Sequence, residues 1–145
     1  MDEEPKFENP SPAPQTPPTQ PGPQGTSSSG LDPKVAAMLS YLFGWIGGLV
    51  FLLIDKDDKY VRFHAVQSIA FNVVIAGLWI LLSILSSVLF AMPSLLLAAA
   101  ALLSLVFGVL WLAIFVLWIV LMVKAYGGEK FKLPIIGDFA EKQAG

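Results

Sequence analysis

The polar side chains that could take part in chemistry are few, and they stand at the edges of long apolar stretches. The single histidine, His64, lies two residues after Arg62, and the amides of Gln67 and Asn72 follow. A proton relay or a metal site needs a second titratable group near the histidine, but the 59 residues from Ala65 to Val123 contain no Asp, Glu, Lys, Arg or His. We therefore interpret His64 as a structural residue. Asn72 is expected to bond between helices rather than to line a water-filled path.

Enzymatic chemistry finds no support in the composition. The 145-residue chain has no cysteine, which excludes disulfides, thiolate metal sites and cysteine nucleophiles. Its apolar stretches contain serines but no base to activate one, and we interpret Asp138 and Glu141 as a solvated face rather than a catalytic pair. Lys and Arg do not cluster as a nucleic-acid site requires. We predict a protein that is not an enzyme, needs no cofactor and binds no nucleic acid.

Two charge-free stretches indicate a membrane protein. The first, Val35 to Ile54, has 20 residues, and the second is the 59-residue stretch described above. A charge at the centre of a bilayer costs about 2.5–3.5 kcal/mol, whereas a soluble domain needs a charged surface. About 20 apolar residues cross a bilayer as a helix, so the first stretch fits one span. Three spans in the second would leave no residues for turns, and Pro93 divides it near its middle, so it fits two.

The sequence therefore predicts an all-α integral membrane protein. We expect a three-helix transmembrane bundle with spans over residues 35–54, 66–90 and 95–123, inside a transmembrane domain of residues 31–126. Residues 1–30 hold eight of the eleven prolines, which predicts a disordered tail. Residues 127–145 begin with two glycines that end the last helix, and their mixture of apolar and charged residues predicts an amphipathic interfacial segment.

Basic residues give the predicted orientation. Lys56, Lys59 and Arg62 follow the first span and four lysines follow the third, whereas the region around Pro93 has none. Lys and Arg are enriched on the cytoplasmic side of membrane proteins. Three spans place both basic segments on that side. This predicts a multi-pass protein of the plasma membrane with its N-terminus outside and its C-terminus in the cytoplasm.

Small and polar residues recur at helical spacing in each predicted span. Such residues let helices approach closely in lipid, so we expect them to pack the bundle, with self-association as the alternative. They are Ser40, Gly44 and Gly48 in the first span, Ser68 and Asn72 in the second, and Ser104 and Gly108 in the third.

Cations and aromatic residues near the predicted membrane edge form a candidate contact surface for lipid headgroups or a protein partner. Cations bind lipid phosphates, and aromatic rings favour the interface. The candidates are Lys59, Tyr60, Arg62, Phe63 and His64 in the loop, and Lys130, Lys132 and Asp138 in the tail.

Two separated motifs carry a resemblance to a known family. The segment Asp57-Asp-Lys-Tyr-Val-Arg-Phe-His-Ala-Val-Gln-Ser68 is similar to the FVRFHAxQS signature of small prokaryotic membrane proteins of unknown function, and the segment from Lys124 to Lys142 resembles their closing motif. That family is grouped with the chloroplast import component Tic-twenty. The resemblance implies a helical membrane protein and, through the plastid relative, a translocon-like role. It implies no catalytic residue.

These features favour a non-enzymatic membrane scaffold or accessory subunit that uses a cytoplasmic basic loop and tail. The alternative is a pore-forming or protein-translocon-like subunit of a homo-oligomer, because three helices with an uncharged core enclose no channel by themselves. The expected partners are membrane lipids and either another protein or further copies of the chain.

Overall fold

The computed structural model describes residues 26–90 and 96–145, and this part of the chain forms α-helices and no strand. Pro93 and residues 1–25 of the tail predicted to be disordered lie outside the described residues. The helices are α1 (Pro33–Leu42), α2 (Gly44–Ile54), α3 (Lys59–Phe90), α4 (Leu96–Tyr126) and α5 (Ile136–Ala144).

Within the described chain, α3 and α4 are the two helices long and apolar enough to cross a membrane. Their 32 and 31 residues correspond to about 45–48 Å, against about 30 Å for the hydrocarbon core of a bilayer. A membrane would accommodate them by tilt or by projecting ends. The start of α3 meets the end of α4, where Tyr60 Oη donates a hydrogen bond of 2.6 Å to the Ala125 carbonyl.

The first charge-free stretch forms a hairpin instead of one helix. It breaks at Phe43, and Gly44 has a φ of 60°, in the left-handed region that favours glycine. Ser29, which precedes α1, donates its N–H and its hydroxyl to the carboxylate of Asp55, which follows α2, over 2.7 and 2.9 Å. The two helices, each about 15–17 Å long, therefore lie side by side and antiparallel. Residues 35–54, predicted as a single span, are thus divided between two short helices, and the bundle of three spanning helices is not confirmed.

Side chains of the long helices bind the carbonyl groups that the break exposes. A helix that ends in an apolar environment leaves carbonyl oxygens without partners. Ser68 Oγ of α3 donates to the Ser40 carbonyl over 2.7 Å and lies 3.1 Å from the Gly44 carbonyl. Trp118 Nε1 of α4 donates to the Tyr41 carbonyl over 3.0 Å. These bonds fix the hairpin tip to both long helices.

The segment predicted to be interfacial folds back onto α3. Phe63 and Val66 of α3 pack against Ala140 and Ala144 of α5. Phe139 on the same helix stays 52% exposed. One face of α5 is thus buried in the protein, while the other remains open to the surroundings.

The residues before α1 and those after α4 lie at the same end of the molecule. Lys34 lies so close to Gly128 that a Cβ on that glycine would be 3.0 Å from the lysine Cε. Together with the contact between Ser29 and Asp55, this groups the start of the described chain, the loop before α3 and the tail. The predicted orientation, with the two termini on opposite sides of the membrane, is not confirmed, because the hairpin returns the described chain to the end of the molecule from which it started.

The hairpin can be tested by sidedness, and single cysteines are informative because the chain has none of its own. In sealed vesicles, we expect Ser28→Cys and Lys142→Cys to react with a membrane-impermeant maleimide from the same side. Phe43→Cys, at the hairpin tip, should be protected from both sides because hydrocarbon surrounds it. Labelling of positions 28 and 142 from opposite sides would contradict the hairpin.

The contact between α2 and α3 depends on Gly48. A Cβ there would lie 2.7 Å from the Ala65 carbonyl oxygen and 2.8 Å from Ile69 Cγ1. We expect Gly48→Ala to lower the free energy of unfolding by about 1–3 kcal/mol, the usual cost of overpacking, in a denaturant titration of the protein in micelles. Gly77→Ala is the matched control, since nothing lies within 4 Å of a Cβ at that position. Equal stability of the two variants would disprove the close approach.

Candidate functional site

A buried polar cluster lies where the helix ends meet. It consists of Tyr41, His64 and Gln67, each at most 1% exposed. Tyr41 Oη lies 3.1 Å from His64 Nδ1, and Gln67 Nε2 donates to the same hydroxyl over 3.1 Å. The hydroxyl accepts from Gln67 and, among the described residues, has no acceptor other than Nδ1, so we assign its own proton to the bond with Nδ1. This assignment makes His64 a neutral imidazole with its proton on Nε2.

Three aromatic rings enclose the histidine. Tyr41, Tyr60 and Phe63 contact His64 edge to face, with ring centroids 5.7, 4.6 and 5.0 Å away. The cluster retains two buried polar atoms without a hydrogen-bond partner among the described residues, His64 Nε2 and Gln67 Oε1. The histidine is thus held rigidly by packing as well as by hydrogen bonding.

The same region of α3 fastens the chain that follows α4. Gln67 Nε2 also donates to the Phe131 carbonyl over 2.9 Å, and Arg62 Nη2 donates to the Gln143 carbonyl over 3.0 Å. Leu133 is buried in the adjoining apolar core. The two sequence motifs, which the long charge-free stretch separates, are therefore in direct contact.

An exposed ion pair joins the segment before α5 to that helix. Lys132 Nζ lies 2.6 Å from Glu141 Oε2. The hydrogen bond to Glu141 raises the pKa of Lys132, and the same bond lowers the pKa of Glu141. The attraction is therefore present above the ordinary pKa of a glutamate and is lost as the pH falls through the lowered value. Exposed pairs of this kind contribute little to stability, so the buried contacts dominate the docking of the tail.

Three residues predicted to contact lipid headgroups are buried instead. Tyr60 is 6% exposed, Phe63 is fully buried and His64 is 1% exposed. Together with Gln67 they have the spacing that places residues on one face of a helix, and that face of α3 packs against α1 and the tail. The prediction is wrong for these three residues, because aromatic side chains next to cations belong here to the protein core.

The charged candidates lie at the surface around the same end of the molecule. Lys59, Lys130, Lys132 and Asp138 are exposed, and Arg62 is half-buried. Their side chains are positioned by the start of α3 and by the docked tail.

Most small residues predicted to pack the helices lie at or near the hairpin. Ser40 and Ser68 are buried, and Gly48 permits the close contact of α2 with α3 described above. Gly44 allows the break between α1 and α2 rather than serving as a small residue between packed helices. Asn72 lies beside it and donates from Nδ2 to the Ser68 carbonyl over 2.9 Å.

The packing prediction is wrong for the two small residues of α4. Ser104 and Gly108 are exposed, and nothing lies within 4 Å of a Cβ built on Gly108. Away from the end where they meet, α3 and α4 leave a cavity of about 400 Å³ between them, lined by Trp79, Gly108 and Trp111. The two helices are too far apart there for small residues to matter.

Three important contacts have no counterpart among the predicted site residues: those of Tyr41, Asp55 and Trp118. A tyrosine or tryptophan inside an apolar stretch needs a partner for its polar atom, which is the signal that could have revealed two of them. Asp55 is fully buried and directly follows an apolar stretch. No group of three or more His, Cys, Asp or Glu side chains suited to a metal ion occurs in the described residues.

Two long apolar helices joined to a helical hairpin define a class of small helical membrane protein. The chain belongs to the magnetosome magnetite crystal formation protein family (MamF/MmsF), which it matches over residues 32–140. This range includes both motifs and their contact. The prediction of a family of membrane proteins without an assigned function is confirmed by the relatives.

These relatives are UPF0132 membrane proteins of archaea. One from Methanocaldococcus jannaschii is 45% identical over 118 residues, 81% of this chain and 94% of the relative. A second from that organism is 38% identical over 113 residues, 78% of this chain and 71% of the relative. One from Archaeoglobus fulgidus is 40% identical over 112 residues, 77% of this chain and 95% of the relative. No solved structure matches the chain.

The docking of the tail can be tested at Gln67. We expect Gln67→Leu to release residues 127–145, because it removes both hydrogen bonds of Nε2, each of which contributes about 0.5–1.5 kcal/mol, and leaves the Phe131 carbonyl without this partner. Hydrogen–deuterium exchange of the tail amides should accelerate accordingly. Asn72→Leu makes the same change where the amide bonds within α3, and it should leave tail exchange as in the wild type. Unchanged exchange in Gln67→Leu would show that the amide does not hold the tail.

Proposed function

We propose that the protein is a non-enzymatic membrane scaffold or accessory subunit that binds a protein partner at its charged end. The observation that carries this proposal is the gathering of basic side chains from separate parts of the chain. The start of the described chain, the loop before α3 and the tail after α4 lie together at one end of the molecule. All eight Lys and Arg residues of the described chain belong to these segments or to the helix ends beside them, and we call this end the charged end. They are Lys34, Lys56, Lys59, Arg62, Lys124, Lys130, Lys132 and Lys142.

The charge distribution also supports an orientation. Lys and Arg near membrane ends are enriched in the cytoplasm, and in the described chain the opposite ends of α3 and α4 carry none. We therefore place the charged end in the cytoplasm of a cell with the protein in its plasma membrane. Residues 26–32 and the tail then both lie in the cytoplasm, unlike the orientation predicted from three spans.

A fixed surface suits a scaffold. The tail is held to α3 by Gln67, by Arg62 and by the apolar face of α5, so its exposed Lys130 and Asp138 are presented by a folded unit rather than a loose chain. Ordering that is complete before binding lowers the entropic cost of the complex. Charges at the rim of such a surface chiefly determine partner choice and association rate.

The alternative, a pore-forming or translocon-like subunit of a homo-oligomer, stays a prediction. It depends on the resemblance to Tic-twenty and on assembly of several copies. The observations favour the scaffold, since the polar side chains of α3 that suggested a path, Gln67 and Asn72, are engaged in hydrogen bonds inside one chain.

The partner hypothesis can be tested by crosslinking in native membranes followed by affinity capture of the full chain. We expect one or a few specific proteins whose yield falls about tenfold or more in the double variant Lys59→Glu and Lys130→Glu, because like charges across an interface cost several kcal/mol. The double variant Lys59→Arg and Lys130→Arg keeps the charge and should retain the yield. Equal capture by both double variants, or no specific protein with the wild type, would refute partner binding at this surface.

A further inference from the structure

A groove with one charged end lies on the side of α3 that faces away from the polar cluster. It has a volume of about 930 Å³ and runs between the end of α2, the first half of α3 and α5. Leu52 of α2 and Phe139 of α5 form its sides, and Val66, Ile69 and Val73 of α3 form its floor.

The end of the groove nearest the loop before α3 is positively charged. Lys56 and Arg62 line it, and no carboxylate is among the described residues that line the groove. Arg62 Nη1 donates to the Lys56 carbonyl over 3.3 Å and Nη2 to the Gln143 carbonyl over 3.0 Å. The two carbonyl groups hold the guanidinium in place and do not neutralise it, so its positive charge remains available to bind an anion.

The rest of the groove is apolar and extends along α3 toward the middle of that helix. From Val66 to Val74 the floor covers about 12 Å at 1.5 Å per residue, and Arg62 stands one helical turn before it. Val73 and Val74 are 64% and 53% exposed, so the far end opens toward the surroundings of α3. A hydrocarbon chain entering from the membrane would lie along this floor without crossing a polar group.

We propose that this groove binds one anionic phospholipid, with its phosphate against Lys56 and Arg62 and one hydrocarbon chain along Val66 to Val74. Arginine is suited to phosphate because its planar guanidinium offers several donors at once. A free phosphate would contact Lys56 and Arg62 but would leave the apolar floor of the groove unoccupied. An uncharged lipid would contact the floor alone. A phospholipid with net negative charge matches both parts at the spacing observed.

The proposal goes beyond partner binding and is tested with purified full-length protein and lipid alone, so its failure leaves the scaffold hypothesis untouched. Native mass spectrometry in micelles measures retention of added phosphatidylglycerol and, in parallel, of phosphatidylcholine. We expect one phosphatidylglycerol to be retained in preference to phosphatidylcholine, and inorganic phosphate not to displace it.

Two matched pairs of variants separate the groove from general adsorption. Lys56→Gln should weaken phosphatidylglycerol binding about fivefold, from about 1 kcal/mol per basic residue near an anionic headgroup. Lys59→Gln makes the same charge change in the same loop but outside the groove, and it should bind as the wild type does. Ala70→Trp fills the floor without changing charge and should abolish specific retention, whereas Ala113→Trp on the exposed surface of α4 should not.

Several results would overturn the proposal. Equal weakening by Lys56→Gln and Lys59→Gln would indicate surface adsorption, and unchanged binding in Ala70→Trp would show that no chain occupies the floor. Equal retention of the two lipids, or displacement by inorganic phosphate, would also refute an anionic lipid site. Near-equal thermal unfolding of each variant and its matched control makes the comparison one of binding rather than of folding.

Discussion

The hydrogen bonding of a helix that is interrupted in apolar surroundings is the constraint on which the rest of this structure depends. A backbone carbonyl left without a partner in hydrocarbon costs several kcal/mol, so the break at Phe43 requires donors from outside the hairpin. Ser68 and Trp118 supply them. Since one donor belongs to α3 and the other to α4, the hairpin and the two long helices stabilise one another. The position of Tyr41, and with it the polar cluster, follows from this arrangement.

The long helices could be predicted from composition because a stretch of 59 residues without a charge directly indicates an apolar environment. The predicted spans over residues 66–90 and 95–123 fall within α3 and α4, apart from the start of the second span at residue 95. The hairpin could not be predicted in that way, since 20 apolar residues have the same composition whether they cross a bilayer or turn back. The donors that make the turn possible lie 28 and 77 residues from the carbonyl groups they bind, and a local pattern contains no trace of such pairings.

The sequence predicted where the candidate site lies better than it predicted the roles of the individual residues in it. The two motifs do meet, and the exposed cations do surround their contact. Aromatic residues beside cations suggested a membrane interface, yet the same residue types also occur on a buried helix face. Tyr60, Phe63, His64 and Gln67 have the spacing of that face, whereas Arg62 and Val66 lie on the side of α3 that faces away from the polar cluster. Periodicity within the motif therefore carried more information than its amino-acid types.

The hairpin has a consequence for how the chain enters a membrane. Since α1 and α2 return to the end of the molecule from which they started, Lys34, Asp55 and Lys56 all lie at that end. The sequence that joins α3 to α4 contains no charged residue. Moving a charge across a membrane potential requires work in proportion to that charge. If α3 and α4 cross the membrane, insertion of this helical unit would carry no charged side chain to the far side, so the transmembrane voltage would do no work on side-chain charge.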